Sequence, residues 1–310
     1  GGGPQTATGA GPGNGPFKQN NPLTTVGVNA ATGNVGLMLR DPVRTRGYPL
    51  RNNIHINSQS NLPGRTTVFG NASFSYGIEV YAVTVGGSTG YWLIDGDGSE
   101  FSFGTALIAP PEVHSTLSQV SGGFTLTGAG APGEIEKAGN FSYTFDANGR
   151  LTSLVDPAGN EQTISYDGNG DPTEVLDLGT GRTITFEYDT PGYVARVVEN
   201  NGGAVIEVAY TDGLITRFLL KNSAGTTISR SDLTYVDGRL ASLTQDNDSS
   251  TTITATYDKA SLNEVFLGNL SWAGGGTRLR WFEPPSTGYE FRTRQANAQG
   301  GFSYFDMDEE

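Results

Sequence analysis

An aromatic-Asp pair recurs through the middle of the chain at nearly constant spacing, and no other feature limits the possible folds as much. Phe145-Asp146, Tyr166-Asp167, Tyr188-Asp189, Tyr210 with Asp212, Tyr235 with Asp237 and Tyr257-Asp258 follow one another at 21, 22, 22, 25 and 22 residues. The stretch FDANGRLTSLVDPAGN (145–160) reads aromatic, Asp, Gly-containing turn, Arg-Leu, strand, then Asp-Pro and a second turn. YVDGRLASLTQD (235–246) repeats the Gly-Arg-Leu-x-Ser-Leu core, and YTDGLITRFLLKNSAG (210–225) keeps the frame with substitutions. A fixed period in this range marks a stacked repeat, in which one unit cannot bury its apolar face and neighbours complete the core.

Within a unit the pattern is two short strands and two turns. Thr163-Ile164-Ser165-Tyr166 and Thr183-Ile184-Thr185-Phe186-Glu187-Tyr188 alternate polar and apolar side chains, as half-buried strands do. Asn148-Gly149, Asn169-Gly170 and Asp237-Gly238 then mark reversals, because such pairs readily take the positive φ angles of tight hairpins. The unit is therefore a hairpin joined to the next hairpin. The period alone leaves a coiled ribbon, an open solenoid and a sandwich all open.

These residues resemble the RHS, or YD-repeat, family, whose units follow a pattern close to YDxxGRLxxxxDPxGN. Phe145, Asp146, Gly149, Arg150, Leu151, Asp156, Pro157, Gly159 and Asn160 match it in one run, and later units match less well. VNAATGNVGLMLRDP (28–42), Arg46-Gly47-Tyr48-Pro49-Leu50 and Ile56-Asn57-Ser58-Gln59-Ser60 resemble the segment that precedes RHS repeats, with Ile56 where that family often has Tyr. The resemblance covers about 24–260. It implies a hollow β-shell wound from a spiralling sheet, used around toxins or in cell-surface adhesion. The expected fold is thus all-β, with antiparallel hairpin repeats coiled into a continuous spiralling sheet, as an RHS-type shell or an open solenoid.

Four regions are expected. Residues 1–22, rich in Gly, Pro and Asn, have no core of their own and are read as an extended arm packed on its own domain or a neighbouring subunit. Residues 23–140 form an opening β region and 141–260 the repeat array, the two belonging to one sheet. Residues 261–310 lose the frame and become aromatic-rich, the form of a terminal cap or assembly segment. The start at Gly1, without a methionine or signal peptide, is read as that of a processed or trimmed chain.

Composition narrows the chemistry. Charged residues are 16% of the chain, below the roughly 25% of ordinary globular proteins, and Gly contributes 45 of 310 residues, which suits short strands with tight turns. The net charge of −13, with 19 scattered basic residues, excludes a phosphate-binding stripe, so no nucleic-acid partner is expected. No apolar run is long enough for a membrane-spanning helix. The absence of cysteine excludes disulfides and thiolate metal sites.

Few residues suggest a site. Asp95-Gly96-Asp97-Gly98-Ser99-Glu100 places oxygen donors at alternate positions, as a calcium loop begins, so calcium at Asp95 and Asp97 is set against an ordinary β-turn. The Asp residues of the repeat are assigned to turn structure. Neither His55 nor His114 is read beside a serine on a nucleophile elbow, and no acidic pair stands out for glycoside hydrolysis. Asp156-Pro157-Ala158-Gly159 echoes the DPxG of the RHS self-cleavage motif, but without the following Leu it reads as a repeat turn. Trp272, Trp281 and Tyr289 are candidate platforms for sugar rings or a partner, against a bland role filling the terminal core.

No catalytic residue and no cofactor follow from this reading. The leading expectation is a secreted or surface-exposed bacterial structural protein that polymerises with copies of itself through strand or arm exchange. An adhesive module for surface glycans and a shell fragment of an RHS toxin-delivery protein are the alternatives.

Overall fold

The computed structural model describes residues 24–29, 34–39, 50, 52–57, 67–189, 192–200, 203–246, 248–261, 264–272, 275–278, 290–296 and 302–308. The arm expected at 1–22, Trp281 and Tyr289 lie outside them. The described chain is all-β. Its opening strands β1 (Thr24–Asn29), β2 (Asn34–Leu39), β3 (Ile54–Asn57) and β4 (Ala72–Phe74) make a four-stranded sheet in sequence order. β5 (Glu79–Val85), β6 (Ser88–Ile94) and β7 (Glu100–Gly104) make a second, three-stranded sheet.

A single sheet of 15 strands follows. It comprises β8 (Thr116–Val120), β9 (Gly123–Ala129), β10 (Ala138–Phe145), β11 (Leu151–Val155), β12 (Glu161–Tyr166), β13 (Pro172–Asp177), β14 (Thr183–Tyr188) and β15 (Val194–Glu199). It continues through β16 (Val205–Thr211), β17 (Leu214–Lys221), β18 (Thr227–Val236), β19 (Arg239–Gln245), β20 (Asp248–Ser261), β21 (Glu264–Trp272) and β22 (Gly275–Arg278). Each strand pairs antiparallel with the strands before and after it, so the ribbon never crosses over. A separate hairpin, β23 (Glu290–Ala296) with β24 (Phe302–Asp308), ends the described chain. The continuous sheet therefore begins at Thr116, and the opening strands form smaller sheets beside it.

Every aromatic of the repeat sits at the same irregularity. Thr144 pairs with Ser153, but Phe145 pairs with Leu151, so Thr152 is an extra residue on the return strand. The same step recurs before Tyr166, Tyr188, Tyr210, Tyr235 and Tyr257. A β-bulge puts two residues opposite one and resets which side chains face the core. That is why Leu151 and Leu154, three apart, are both buried within one strand. Val194 with Val197, Ile215 with Phe218, and Leu240 with Leu243 repeat the spacing. These residues join one apolar core running from Leu50 to Ala255. Burying each such side chain stabilises the fold by about 1.5–3 kcal/mol before entropy is counted.

The opposite face is polar and laced with cross-strand ion pairs. Arg196 meets Glu187 at 2.6 Å, Lys221 meets Glu207 at 2.6 Å, and Arg217 meets Asp232 at 2.7 Å. Among the described residues no helix is long and apolar enough to cross a membrane.

Candidate functional site at the junction of the opening segment and the ribbon

Because the ribbon is a meander, its turns alternate between two long rims. One rim carries the aromatic-Asp turns. Asp146 Oδ1 accepts the backbone N–H groups of Asn148 and Arg150, both at 2.9 Å. Its Oδ2 accepts Nε and Nη2 of Arg150 at 2.9 and 2.7 Å. Asp167 repeats the backbone pattern with Asn169 and Asp171 at 2.8 and 2.9 Å, and Asp189 accepts the Tyr193 N–H at 2.8 Å. Asp side chains close turns in this way because they can stand in for a backbone acceptor.

The expectation that Asn148-Gly149 and Asn169-Gly170 both supply positive φ is corrected here. Only Gly149 and Gly170 do, at 81° and 92°, because the Asp two residues before each Asn caps a four-residue turn instead. In the next two units the Asp has moved one place. Asp212 and Asp237 themselves take the left-handed conformation, each at φ 51°, followed by Gly213 and Gly238 in two-residue loops. The recurrent spelling therefore hides two turn chemistries.

This rim is the surface on which the opening segment docks. The Val80 N–H donates to the Gly149 carbonyl at 2.8 Å, and the Val194 N–H to the Val68 carbonyl at 2.8 Å. The Asn71 N–H donates to the Gly213 carbonyl at 3.0 Å, while Asn71 Oδ1 accepts the Ile215 N–H at 3.0 Å. The backbones approach so closely that a Cβ on Gly149 would stand 1.7 Å from the Val80 carbonyl oxygen. Behind the rim, Phe69 and Phe74 pack with Phe186 of β14 at centroid distances of 6.4 and 6.0 Å. The buried Tyr76 hydroxyl donates to Gln162 Oε1 at 2.9 Å. Opening segment and ribbon thus share one core.

A cavity of about 320 Å³ lies at this junction, between residues 67–79, the end of β6 and the first two aromatic-Asp turns. Phe74, Ile78, Ile94 and Pro172 give it apolar walls, with Glu79, Arg150 and Tyr166 at its polar side. The Arg150 guanidinium lies over the Tyr166 ring at 4.9 Å. The Tyr166 hydroxyl donates to the Leu151 carbonyl at 2.6 Å. Burial, helped by the charge of Asp146, raises the Tyr166 pKa above its ordinary value, so it stays a neutral donor.

The other candidate residues are placed elsewhere. Asp95 is fully buried. Its Oδ1 accepts the Gly133 N–H at 2.8 Å and its Oδ2 the Ile135 N–H at 3.0 Å, which staples the 131–137 loop to the end of β6. Asp97 Oδ1 accepts the Ser99 N–H at 2.9 Å. Burial, then the charge of Asp97, pushes the Asp95 carboxyl well above the usual range. Among the described residues no three His, Asp or Glu side chains gather as a metal site. Asp156 Oδ1 accepts the N–H groups of Ala158 and Asn160 at 2.8 and 2.9 Å, as a repeat turn requires.

Trp272 ends β21, paired in register with Ile253 and Gly275. Gly86-Gly87-Ser88-Thr89-Gly90 has the spelling of a nucleophile elbow, a motif that the sequence reading took to be absent. It forms the exposed turn joining two strands, β5 and β6, and not the strained strand-to-helix turn that the chemistry uses. Sequence reasoning missed the junction itself. Its only local trace is the run of glycines and aromatics at 69–77, which no repeat pattern singles out.

No family model matches the chain, and no curated protein matches it. Among solved structures, a Tc holotoxin pore of Photorhabdus luminescens, with a substitution in its TccC3 component, is similar at 15% identity and a TM-score of 0.34. That match covers 91% of this chain and 14% of the other. A complex of TcdB2, TccC3 and Cdc42 is similar at 15% identity and a TM-score of 0.32, covering 92% of this chain and 15% of the other. This chain thus spans about one seventh of the length of these two chains.

Proposed function

We propose that the chain is a structural, non-enzymatic wall segment of an extracellular RHS-type β-shell, the stretch in which the spiral begins. The observation that carries this reading is the junction. The opening segment covers the apolar face of the ribbon and hydrogen-bonds to three turns of one rim, through Val80, Val68 and Asn71. Such an arrangement finishes one side of a coiled sheet from within the chain, while the consecutive meander provides a wall that further repeats can extend. The shell's role in toxin delivery is what the RHS resemblance implies for it. The polymer reading gains no comparable support: the aromatic-Asp rim is engaged inside the chain, and the arm on which strand exchange rests lies outside the described residues.

Analytical ultracentrifugation across a wide concentration range, with negative-stain electron microscopy of the same samples, separates the two. A wall segment sediments as a compact particle that forms no filaments. Concentration-dependent fibres would overturn the proposal in favour of the self-assembling subunit.

A further inference from the structure

We propose that the cavity beside Arg150 binds a small uncharged ring compound carrying one hydrogen-bond acceptor, such as a cyclic or aromatic amide or ketone. The walls decide the body of the ligand. Phe74 and Ile78, Ile94, and Pro172 come from three separate parts of the chain and present apolar surface to one space of about 320 Å³. That is the lower end of the roughly 300–1,000 Å³ of small-molecule sites, enough for a single ring system.

The polar side decides the rest. Tyr166 has spent its hydroxyl on Leu151 and offers the site only its ring and its hold on Arg150. Arg150 has turned Nε and Nη2 to Asp146, which leaves Nη1 as its outward donor. Nη1 reaches the cavity wall at Gly170, where a Cβ would stand only 2.5 Å from it. Stacked on Tyr166 and tied to Asp146, the guanidinium is fixed in place before a ligand arrives, which lowers the entropy cost of binding.

Charge then selects among acceptors. Asp146 already balances Arg150, so the pair has no net charge left to repay the desolvation of a charged ligand. A carboxylate or an ammonium group would give up its hydration at these apolar walls with no unpaired opposite charge to meet it. A neutral carbonyl avoids that penalty. The proposal does not depend on the shell reading and can fail without it.

The test uses three probes with one ring and three charges: benzamide, benzoate and benzylamine, followed by saturation-transfer NMR on the full chain. Benzamide should receive saturation and the two charged probes should bind about 2- to 5-fold more weakly, the scale of one partly exposed charge contact. Ser73→Leu, which fills the cavity from β4, should abolish the benzamide signal. Arg150→Met keeps an apolar stem over Tyr166 but removes the donor, and should erase the preference for benzamide. Absence of transfer to benzamide, equal or better binding of a charged probe, or a signal untouched by Ser73→Leu would each overturn the proposal. If circular dichroism shows that Arg150→Met does not fold, the probe series and Ser73→Leu still decide it.

Discussion

The Tyr188 hydroxyl donates a 2.6 Å hydrogen bond to the carbonyl of Pro172, at the rim where strands β13 and β14 have stopped pairing. Tyr166 does the same to Leu151 at 2.6 Å, and Tyr210 to Val194 at 2.9 Å. Each tyrosine therefore ties its unit to the return strand of the unit before, beyond the end of the backbone ladder. The Asp beside it closes the turn. The recurrent pair divides into a stitch and a cap.

Tyr188→Phe keeps the ring and removes only the stitch. It should destabilise the fold by about 1 kcal/mol, the usual net worth of such a bond. Urea unfolding should show a lower midpoint with an unchanged slope. A midpoint equal to wild type would mean that water replaces the tyrosine without loss.

Two glycines separate turn strain from docking. Gly149 and Gly159 have nearly the same φ, 81° and 83°, but a Cβ on Gly149 meets the Val80 carbonyl while one on Gly159 meets nothing within 4 Å. Gly159→Ala should cost about 1–2 kcal/mol for the left-handed backbone alone. Gly149→Ala should cost clearly more, because the opening segment must move away. Thermal unfolding of the two variants side by side measures the difference. Equal losses would count against the docked junction.

Stability should depend on pH in two opposite senses. Burial, reinforced by Asp97, raises the Asp95 pKa in the folded state, so folding is favoured while Asp95 is protonated and loses that advantage as pH rises through the raised value. Asp146 and Asp232 behave the other way. Partial burial pushes their pKa values up, but hydrogen bonds from Arg150, and from Arg230 and Arg217, outweigh it and lower them. Their contribution is present above the unfolded carboxylate value of about 3.9 and is lost as pH falls through the folded values. Denaturation midpoints should therefore peak at mildly acidic pH, and Asp95→Asn should flatten the decline from that peak to neutrality. A wild-type midpoint that rises steadily towards neutral pH would contradict this assignment.

The two turn chemistries predict different responses to one substitution. Asp237→Asn keeps a residue suited to the left-handed position and should change stability by only a few tenths of a kcal/mol. Asp146→Asn keeps the backbone cap but loses the Arg150 ion pair, a partly exposed contact worth about 0.5–1 kcal/mol. Differential scanning calorimetry of the pair should rank Asp146→Asn as the more damaging. The reverse order would mean that the turns are misassigned.

The ribbon was legible in the sequence because its period comes from local patterns: alternation in Thr183-Ile184-Thr185-Phe186 marks β14, and Gly149 marks its turn. The spacing of Leu151 and Leu154 was not legible as core, since three residues apart is out of phase with a plain strand. Only the bulge at Thr152 reconciles it, and a bulge is defined by the partner strand. The junction was hidden for a similar reason. Val80 and Gly149 meet across a long stretch of chain, and nothing near either residue announces the other. Arg150 was visible as a motif residue, but its cavity is walled by residues from the opening segment. The terminal aromatics drew attention by composition alone.

The central claim is that the opening segment and the ribbon fold as one body, joined along the aromatic-Asp rim. Native-state hydrogen exchange of the Asn71, Val80 and Val194 amides tests it directly, since these three donate the junction's backbone bonds. They should exchange as slowly as the amides of the central strands β13–β15, in the same cooperative opening. Rapid exchange at all three, with the ribbon still protected, would show that the opening segment is a separate unit and would contradict the account.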